Sequence, residues 1–384
     1  MQTSRSISAV EDAPAVRALA RIEERATSLH ASDVHLEPTA AGGRVRLRID
    51  GRLAHVEDLD STIFNQLISR VKLLAGMDIA DRRQPQDGRY TIESGSRGID
   101  ARTSSMPTID GEKLVIRLLD KDQLGPRLDD LGMPPGLLRR YRTLIASPYG
   151  FVIISGPTGS GKTTTLYASL YEIQDETRSI CTVEDPVEMR LPGLAQVNVN
   201  QKAGLSFATV IRSFLRQDPN VIMVGEMRDS ETVAVATRAA LSGQLVLTTL
   251  HSNDAPRAIE RLINLGADRH AIAAAIFGVV SQRLVRKLCK ACRQADFDVV
   301  PVAYVPVGCE QCNGSGYSGR TGIFELLEID DEGREAISTG ASIVPISKAA
   351  KRLGYEPLFV DGMTKVANGE TTAAEVRRVA AWPV

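Results

Sequence analysis

No apolar run in the 384-residue sequence is long enough to cross a membrane as a helix. The longest such run is Ala271–Val280, whereas a membrane-spanning helix needs about 20 apolar residues. The opening residues, MQTSRSISAVEDAPA, also lack the apolar segment of a secretory signal. We therefore expect a cytoplasmic protein that reaches a membrane only through partners.

Aromatic residues and net charge are also scarce. Aromatic side chains make up 4% of the chain, and the formal net charge is −1. A protein that moves along single-stranded nucleic acid needs a basic groove and aromatic side chains on which bases stack. Composition therefore disfavours a nucleic-acid translocase, which stays as an alternative, and we expect no nucleic-acid partner.

Hydrophobic patterning divides the chain into three zones. Residues 1–120 combine a helical pattern from Val16 with alternating, strand-like segments and a turn at Asp50–Gly51, which predicts a small α+β domain. Residues 121–135 carry three prolines and two glycines among charged residues, as a linker does. In residues 136–384 apolar strands alternate with helical stretches, which predicts an α/β domain with a parallel sheet covered on both faces.

A phosphate-binding loop pattern, GPTGSGKT, occupies residues 156–163. It directly follows an apolar strand, and a helix can follow it, which is the context that this loop requires. Backbone N–H groups at the start of that helix supply donors to phosphate, while Lys162 reaches the β- and γ-phosphates and Thr163 holds Mg²⁺. The nucleotide-binding residues that we predict are Gly156, Pro157, Thr158, Gly159, Ser160, Gly161, Lys162 and Thr163.

Hydrolysis of ATP also needs groups that orient water and handle magnesium. Three later apolar segments end in such groups, namely ICTV before Glu184, VIMVG before Glu226 and LVLTTL before His251. Ligands gather at the carboxyl ends of strands in open α/β sheets. We therefore predict that these three residues complete a hydrolytic site.

Four of the five cysteines form two close pairs, CKAC at 289–292 and CEQC at 309–312, with sixteen residues between the pairs. Two CxxC units can supply four thiolates in a closed tetrahedral set, which suits structural zinc and leaves no position for a catalytic water. Two disulfides or an iron–sulfur cluster are the alternatives. The predicted zinc ligands are Cys289, Cys292, Cys309 and Cys312.

Several charged residues lie outside these patterns. A basic run beside the cysteines is typical of a solvated face, or of a docking patch for a protein or an acidic lipid; it comprises Arg283, Arg286, Lys287, Lys290 and Arg293. Asp33, His35 and Glu37 alternate as residues on one face of a strand do, a pattern that fits either a structural or subunit-contact role or a metal site.

The motifs together resemble those of the type II secretion and type IV pilus assembly ATPase family. The resemblance covers roughly residues 16–384 and is carried by six segments: ASDVHLEP (31–38), PQDGR (85–89), VEDPVE (183–188), RQDPNVIMVGEMRDSET (216–232), SGQLVLTTLHSNDAP (242–256) and GYSGRTGIFELLEI (316–329). Members with paired cysteines drive secretion and pilus extension.

The resemblance implies a PAS-like N-terminal domain and a RecA-like ATPase domain at 136–384. The ATPase domain would include a zinc subdomain at about 286–320 and a helical part at 330–384. It also implies that Glu184 polarises the attacking water, that Glu226 acts at magnesium or water, and that His251 senses the γ-phosphate. Arg89 and Arg102 match arginines that such motors bring onto the nucleotide.

A hexameric motor is the function that the resemblance implies, one that hydrolyses ATP to assemble a secretion pseudopilus or a pilus at the bacterial inner membrane. Its partners would be inner-membrane platform and docking proteins. A scaffold that binds ATP without hydrolysing it is the other alternative. Relatives usually carry a further N-terminal docking domain, whereas the first predicted helix here begins at Val16; we therefore expect that domain to be missing.

Overall fold

Close packing of residues divides the chain into two compact units, Met1–Leu124 and Gly125–Val384. The structure is a computed structural model and describes residues 13–94, 97–119, 127–296, 303–340 and 343–380. Most of the stretch between the units, residues 120–126, therefore lies outside the described residues, and each unit is treated by itself.

The N-terminal unit is a six-stranded antiparallel sheet with two helices. Its elements are α1 (Pro14–Ser28), β1 (Asp33–Thr39), β2 (Gly42–Ile49), β3 (Arg52–Asp60), α2 (Ser61–Leu74), β4 (Gln86–Ser94), β5 (Arg97–Thr108) and β6 (Gly111–Leu119). The strand order is β3-β2-β1-β6-β5-β4. The predicted turn between β2 and β3 is present, with positive φ at both Asp50 and Gly51.

Both helices of this unit cover one face of the sheet, because alternate strand residues are apolar. Val34, Leu36, Val45 and Leu47 are fully buried and pack with α1 and α2 in one core cluster. The opposite face carries the polar residues of the same strands.

The C-terminal unit has a seven-stranded sheet between helices. Its larger elements are α3 (Pro135–Ile145), β7 (Gly150–Ser155), α4 (Lys162–Ile173), β8 (Ile180–Glu184), β9 (Ala195–Asn198), α5 (Phe207–Phe214), β10 (Val221–Val224), α6 (Ser230–Leu241), β11 (Leu245–Leu250), α7 (Ala255–Asn264), α8 (Arg269–Ala275), β12 (Ile276–Leu288), β15 (Tyr317–Glu328), α9 (Asp331–Ser338), α10 (Ile343–Arg352), α11 (Leu358–Ala367) and α12 (Ala373–Val379). A small hairpin, β13 (Gln294–Asp296) with β14 (Ala303–Val305), lies between β12 and β15 in the chain.

The sheet order is β15-β12-β7-β11-β10-β8-β9. All neighbouring strands are parallel except β15, which pairs antiparallel with β12. The four strands on which the prediction of a parallel sheet rested, β7, β8, β10 and β11, are parallel, and β15 adds an antiparallel edge where the chain returns from the hairpin in the opposite direction. Separate core clusters cover the two faces, one with α3 and α4 and the other mainly with α5 to α8.

Part of the predicted linker is ordered against the C-terminal unit. Residues Leu128–Leu131 form a 3₁₀ turn, and the side chains of Leu128 and Met133 are buried in the cluster that contains α3 and α4. The apolar run Ala271–Val280 is divided between α8 and the start of β12. Among the described residues, no helix combines the length and apolar character that a membrane span requires.

Candidate functional site

The phosphate-binding loop connects the carboxyl end of β7 with the first turn of α4. Gly156 has a φ of 152° and Gly161 a φ of 88°, in the region that favours glycine. A Cβ atom on Gly156 would lie 2.5 Å from Oγ of Ser160 and 2.7 Å from the carbonyl oxygen of Gln282. Conformation and space therefore both require glycine at position 156.

Lys162 is 8% exposed and begins α4. Its Nζ donates hydrogen bonds to the carbonyl oxygens of Gly156 at 2.8 Å and Pro157 at 3.0 Å. Burial lowers the pKa of Lys162 to about 8; Glu226 opposes this effect and Arg283 adds to it. The cation is thus held inside the curve of the loop, where a phosphate would be bound.

The predicted site residues of this unit lie along one edge of the sheet. Strands β7, β11, β10 and β8 are parallel neighbours in that order, so their carboxyl ends are adjacent. The loop follows β7, His251 follows β11, Glu226 comes two residues after β10, and Glu184 ends β8. A group at each of four adjacent strand ends can therefore face one bound ligand.

Glu226 and His251 are close to each other. Nε2 of His251 lies 3.7 Å from Oε2 of Glu226, and Arg228 forms an ion pair with the same carboxylate. The pKa of His251 is lowered by burial and by Lys162, although Glu226 acts in the opposite direction. Because its pKa lies below the ordinary value, His251 is neutral at physiological pH and can offer one N–H donor.

Glu184 occupies a different environment, because it is 4% exposed and already accepts three hydrogen bonds. The donors are Oη of Tyr167 at 2.5 Å, Oγ1 of Thr182 at 2.6 Å and Nε2 of Gln196 at 3.3 Å. Tyr167 lies on α4, so this carboxylate joins β8 to the helix that begins in the phosphate-binding loop.

Sequence reasoning missed Gln282 and Tyr167 as site residues. Nε2 of Gln282 donates to the carbonyl oxygen of Ser160 at 2.7 Å, and its Oε1 accepts from Oγ1 of Thr165 at 2.8 Å. A glutamine within an apolar strand was the available signal for the first, since buried polar groups need partners. Nothing in the local pattern distinguishes Tyr167 from a core aromatic residue.

A cleft of about 450 Å³ lies beside the loop. It is lined by Pro157 and Thr158 on one side, by His251 at the sheet edge, and by Arg257 and Arg261 from α7, among other residues. The exposed side of His251 therefore faces an open cleft whose lining includes Glu260 as well as the two arginines.

The four paired cysteines come together as predicted, with their sulfur atoms all within 4.8 Å of one another. The Sγ–Sγ distances are 3.9 Å for Cys289–Cys309, 3.8 Å for Cys292–Cys312 and 3.7 Å for Cys309–Cys312. Zinc–sulfur bonds of about 2.3 Å in a tetrahedron require sulfur separations of ~3.8 Å. The cluster therefore fits a closed tetrahedral zinc site, and its separations are too long for disulfides, whose S–S bond is about 2.05 Å.

Backbone N–H groups point at two of these sulfurs. Gly308 donates to Sγ of Cys292 at 3.3 Å, and Cys309 and Gly316 donate to Sγ of Cys312, each at 3.2 Å. Burial raises the pKa of the Cys312 thiol, but these two donors, together with hydrogen bonds to the Cys309 and Cys292 thiols, outweigh it, and the pKa falls to about 6. At Cys292 burial prevails over the Gly308 donor and raises the pKa to about 11. Such donors stabilise thiolates, the form that binds metal.

The two predicted arginines of the N-terminal unit are neighbours in its sheet. Arg89 on β4 is the direct cross-strand partner of Arg102 on β5, and Arg102 is in turn opposite Arg117 on β6. The backbone N–H of Arg89 donates to the carbonyl oxygen of Ala75 at 3.2 Å, which fixes the start of β4 against the end of α2. Three arginines thus form one row on the sheet face opposite the core, and sequence reasoning did not find Arg117.

The alternating residues of β1 lie on this outer face too. Asp33 forms ion pairs with Arg117 at 3.1 Å and Arg48 at 3.4 Å. Glu37 pairs with Arg46 at 2.7 Å and with Lys113 at 2.8 Å. Both carboxylates are therefore engaged by cations, which agrees with a structural role and not with a metal site.

The basic run beside the cysteines is only partly a solvated face. Arg283 is 7% exposed and donates to the carbonyl oxygens of Gln282 and Asn253. Arg286 pairs with the buried Glu375 at 2.7 Å. The expectation of a solvated run is wrong for these two residues, because Asn253 and Glu375, which hold them, come from distant parts of the sequence.

A parallel sheet with a phosphate-binding loop after one strand, and acidic and histidine residues at the ends of the next strands, defines a P-loop ATPase. The chain belongs to the Type II/IV secretion system protein family, whose model matches residues 8–378. This confirms the resemblance, the α/β fold class and the prediction of an ATP hydrolase that works with ATP and Mg²⁺.

Known proteins are similar over most of the chain. Type II secretion system protein HxcR of Pseudomonas aeruginosa is 45% identical over 96% of this chain and 78% of its own length. Type IV pilus assembly ATPase PilB of Thermus thermophilus is 46% identical over 90% of this chain and 41% of its own length. The crystal structure of the pilus retraction motor PilT with bound ADP is 25% identical, with a TM-score of 0.64 over 95% of this chain and 97% of that one.

Proposed function

We propose that this protein is a ring-forming motor, a hexamer, that hydrolyses ATP to assemble a type II secretion pseudopilus or a type IV pilus. The observation that carries the proposal is the meeting of Lys162, His251, Glu226 and Glu184 along one edge of the sheet. The relatives named as a secretion protein and as a pilus assembly ATPase supply the biological setting.

Each residue of that edge is assigned a role. Lys162 and the loop backbone hold the phosphates, Thr163 holds Mg²⁺, and His251 detects the γ-phosphate through its N–H. When bound, Mg²⁺ would neutralise charge on the transferring phosphoryl group. Glu226, with a side chain that is 18% exposed and next to His251, is assigned to magnesium or to the attacking water. Glu184 would polarise water from its buried position, held by Tyr167.

Arg89 and Arg102 are assigned to the stabilisation of charge on the phosphoryl group. Their direct pairing across β4 and β5 supports this role, since both guanidinium groups project from one sheet face. An arginine that stabilises charge on the transferring phosphoryl group raises the hydrolysis rate by a factor of about 10³–10⁵.

Partners and location follow from the same proposal. A ring would transmit domain closure to inner-membrane platform and docking proteins of a secretion or pilus system. The protein would then be peripheral at the cytoplasmic side of that membrane, held there by partners. The zinc cluster supports assignment to the secretion and pilus-extension members.

The test is the ATPase rate per chain as a function of protein concentration, with oligomer size followed in parallel, for wild type and for Arg89→Ala. We expect the rate to rise as rings form. In Arg89→Ala it should fall by at least about tenfold, with ADP binding retained, because the loop is intact. Lys162→Ala serves as the control that abolishes nucleotide binding.

A rate that is independent of concentration and of Arg89 would mean that each chain holds a complete site. The proposed coupling of hydrolysis to ring motion would then be abandoned.

A further inference from the structure

Two buried side chains of opposite charge hold the segment that follows His251. Nη2 of Arg283 on β12 donates to the carbonyl oxygen of Asn253 at 2.6 Å. Oε1 of Glu325 on β15 accepts from the backbone N–H of Ala255 at 2.6 Å. The two strands are antiparallel neighbours, with Ser281 opposite Glu325 and Arg283 opposite Ile323, so both charged side chains lie on the same sheet face.

Glu325 also reaches a second helix. Its Oε2 accepts from the backbone N–H of Leu358 at 2.9 Å and from Oη of Tyr355 at 3.2 Å. Ala255 is the first residue of α7 and Leu358 is the first residue of α11. One carboxylate, 2% exposed, therefore binds the N-terminal ends of two helices, where backbone donors and helix dipoles favour negative charge.

We propose that Glu325 is a positioning residue for His251 and links the C-terminal helices to the nucleotide site. Ala255 is four residues after His251, and Asn253 is two residues after it, so Glu325 and Arg283 fix the direction in which the chain leaves β11. A shift of α11 acts on the same carboxylate and so on the His251 segment. This inference rests on the proposed role of His251 at the γ-phosphate.

Ionisation of Glu325 controls this linkage. The charged carboxylate accepts all three hydrogen bonds, whereas protonation converts one oxygen into a donor facing groups that are themselves donors. Burial raises the pKa of Glu325 to about 7, and Asp254 adds to the rise, while the Ala255, Leu358 and Tyr355 donors oppose it.

Other charged and titratable groups face this cluster from the elements packed against it. Arg283 on β12 and Arg257 on α7 are cations, Asp254 is the N-cap of α7, and burial raises the pKa of Tyr355. The linkage is therefore intact above about pH 7 and weakens as pH falls through that value.

The test compares wild type with Glu325→Gln, which keeps the size of the side chain but replaces one acceptor with an amide donor. We expect kcat for ATP to fall by about tenfold to a hundredfold, since misplacement of a catalytic group has effects of this size. The KM for ATP and the affinity for ADP should stay within about twofold, because the phosphate-binding loop is untouched. The wild-type decline of kcat between pH 8 and pH 6 should disappear in the variant.

Two further variants separate positioning from a loss of stability. Tyr355→Phe removes one donor from Oε2, so the decline of kcat should move to higher pH while kcat above it is retained. Glu375→Gln removes another buried carboxylate, 2% exposed and paired with Arg286 and Arg378, so it should lower the unfolding temperature without changing the pH profile. Should Glu325→Gln fail to fold, the Tyr355→Phe profile decides the question.

A measurement that needs no turnover completes the test. The imidazole signal of His251, identified by its loss in His251→Gln, is followed by NMR against pH. In wild type we expect this signal to shift near pH 7 as Glu325 titrates, in addition to the shift caused by titration of His251 itself. In Glu325→Gln the additional shift should be absent. If wild type hydrolyses no ATP but this signal behaves as expected, the motor proposal fails and the positioning inference stands. If turnover is normal and neither kcat nor the His251 signal responds to Glu325→Gln, the inference is overturned.

Discussion

Replacing Gln282 with methionine should destabilise the phosphate-binding loop, because it removes the hydrogen bond that holds the loop to β12. Gln282 is 2% exposed. Its side-chain amide donates a hydrogen bond to the carbonyl oxygen of Ser160 and accepts one from the hydroxyl of Thr165. Ser160 is 3% exposed and Thr165 is 1% exposed. Methionine fills nearly the same volume but can replace neither hydrogen bond. The Ser160 carbonyl and the Thr165 hydroxyl then stay buried, and the side chain at position 282 no longer forms a hydrogen bond with either of them.

The expected size follows from these two groups. Each buried polar group that loses its partner costs about 1–3 kcal/mol, so we expect the loss of two partners to lower the free energy of unfolding of the C-terminal unit by about 2–6 kcal/mol. For a unit of this size that corresponds to roughly 4–24 °C in unfolding temperature. If about 1.4 kcal/mol of the cost falls on the loop alone, the Kd for ADP rises tenfold.

The assay is thermal unfolding together with titration of a fluorescent ADP analogue. Gln174→Met is the matched control, because Gln174 also donates to a backbone carbonyl, that of Pro192, but at an exposed position. It should change the unfolding temperature by no more than about 2 °C. A Gln282→Met protein that unfolds and binds ADP as wild type does would refute the reasoning.

Three further outcomes are expected. Cys309→Ser should reduce bound zinc from one atom per chain to a small fraction, measured by atomic absorption, while the Kd for ADP stays within about threefold because the sulfurs are separate from the loop. Binding of ADP at pH 8 should take up about half a proton, measured by calorimetry in buffers of different ionisation enthalpy, because phosphate raises the pKa of a Lys162 that is half neutral at that pH. Lys72→Met should lower the free energy of unfolding, measured by chemical denaturation, by about 3–5 kcal/mol, since it leaves Glu112 buried without its cation. Adding Glu112→Gln should restore part of the loss. If the losses of the two single variants simply add in the double variant, the two side chains do not stabilise each other.

The parts of the fold that the sequence predicted are those with local causes. Asp254 is the N-cap of α7 and Pro256 lies in its first turn, residue types that are typical of a helix start, and the Asp254 side chain accepts from the backbone N–H of Arg257 at 2.8 Å. The turn at Asp50–Gly51 depends on two residues that tolerate positive φ. The phosphate-binding loop is likewise local, because a continuous segment of eight residues supplies the groups that bind phosphate.

Long-range partners account for what could not be predicted. The antiparallel pairing of β15 with β12 depends on the path of the intervening chain, which periodicity does not encode. Arg286 looked like a solvated cation, yet its partner Glu375 lies 89 residues further along the chain. Tyr167 on α4 and Glu184 on β8 lie 17 residues apart in the chain and meet only in the folded structure.

The division between local and long-range causes matches a division of roles in the site. Residues proposed to touch the nucleotide, such as Lys162 and His251, are found in short motifs, because their chemistry demands a fixed residue type at a fixed place. Residues that hold them, such as Gln282 and Glu325, act through backbone groups of distant segments. Any side chain that formed the same hydrogen bonds from another strand could replace them, so no short motif identifies residues of this kind. For such a residue the evidence must come from hydrogen-bond partners and burial, and the substitutions that test it must remove a bond without removing volume.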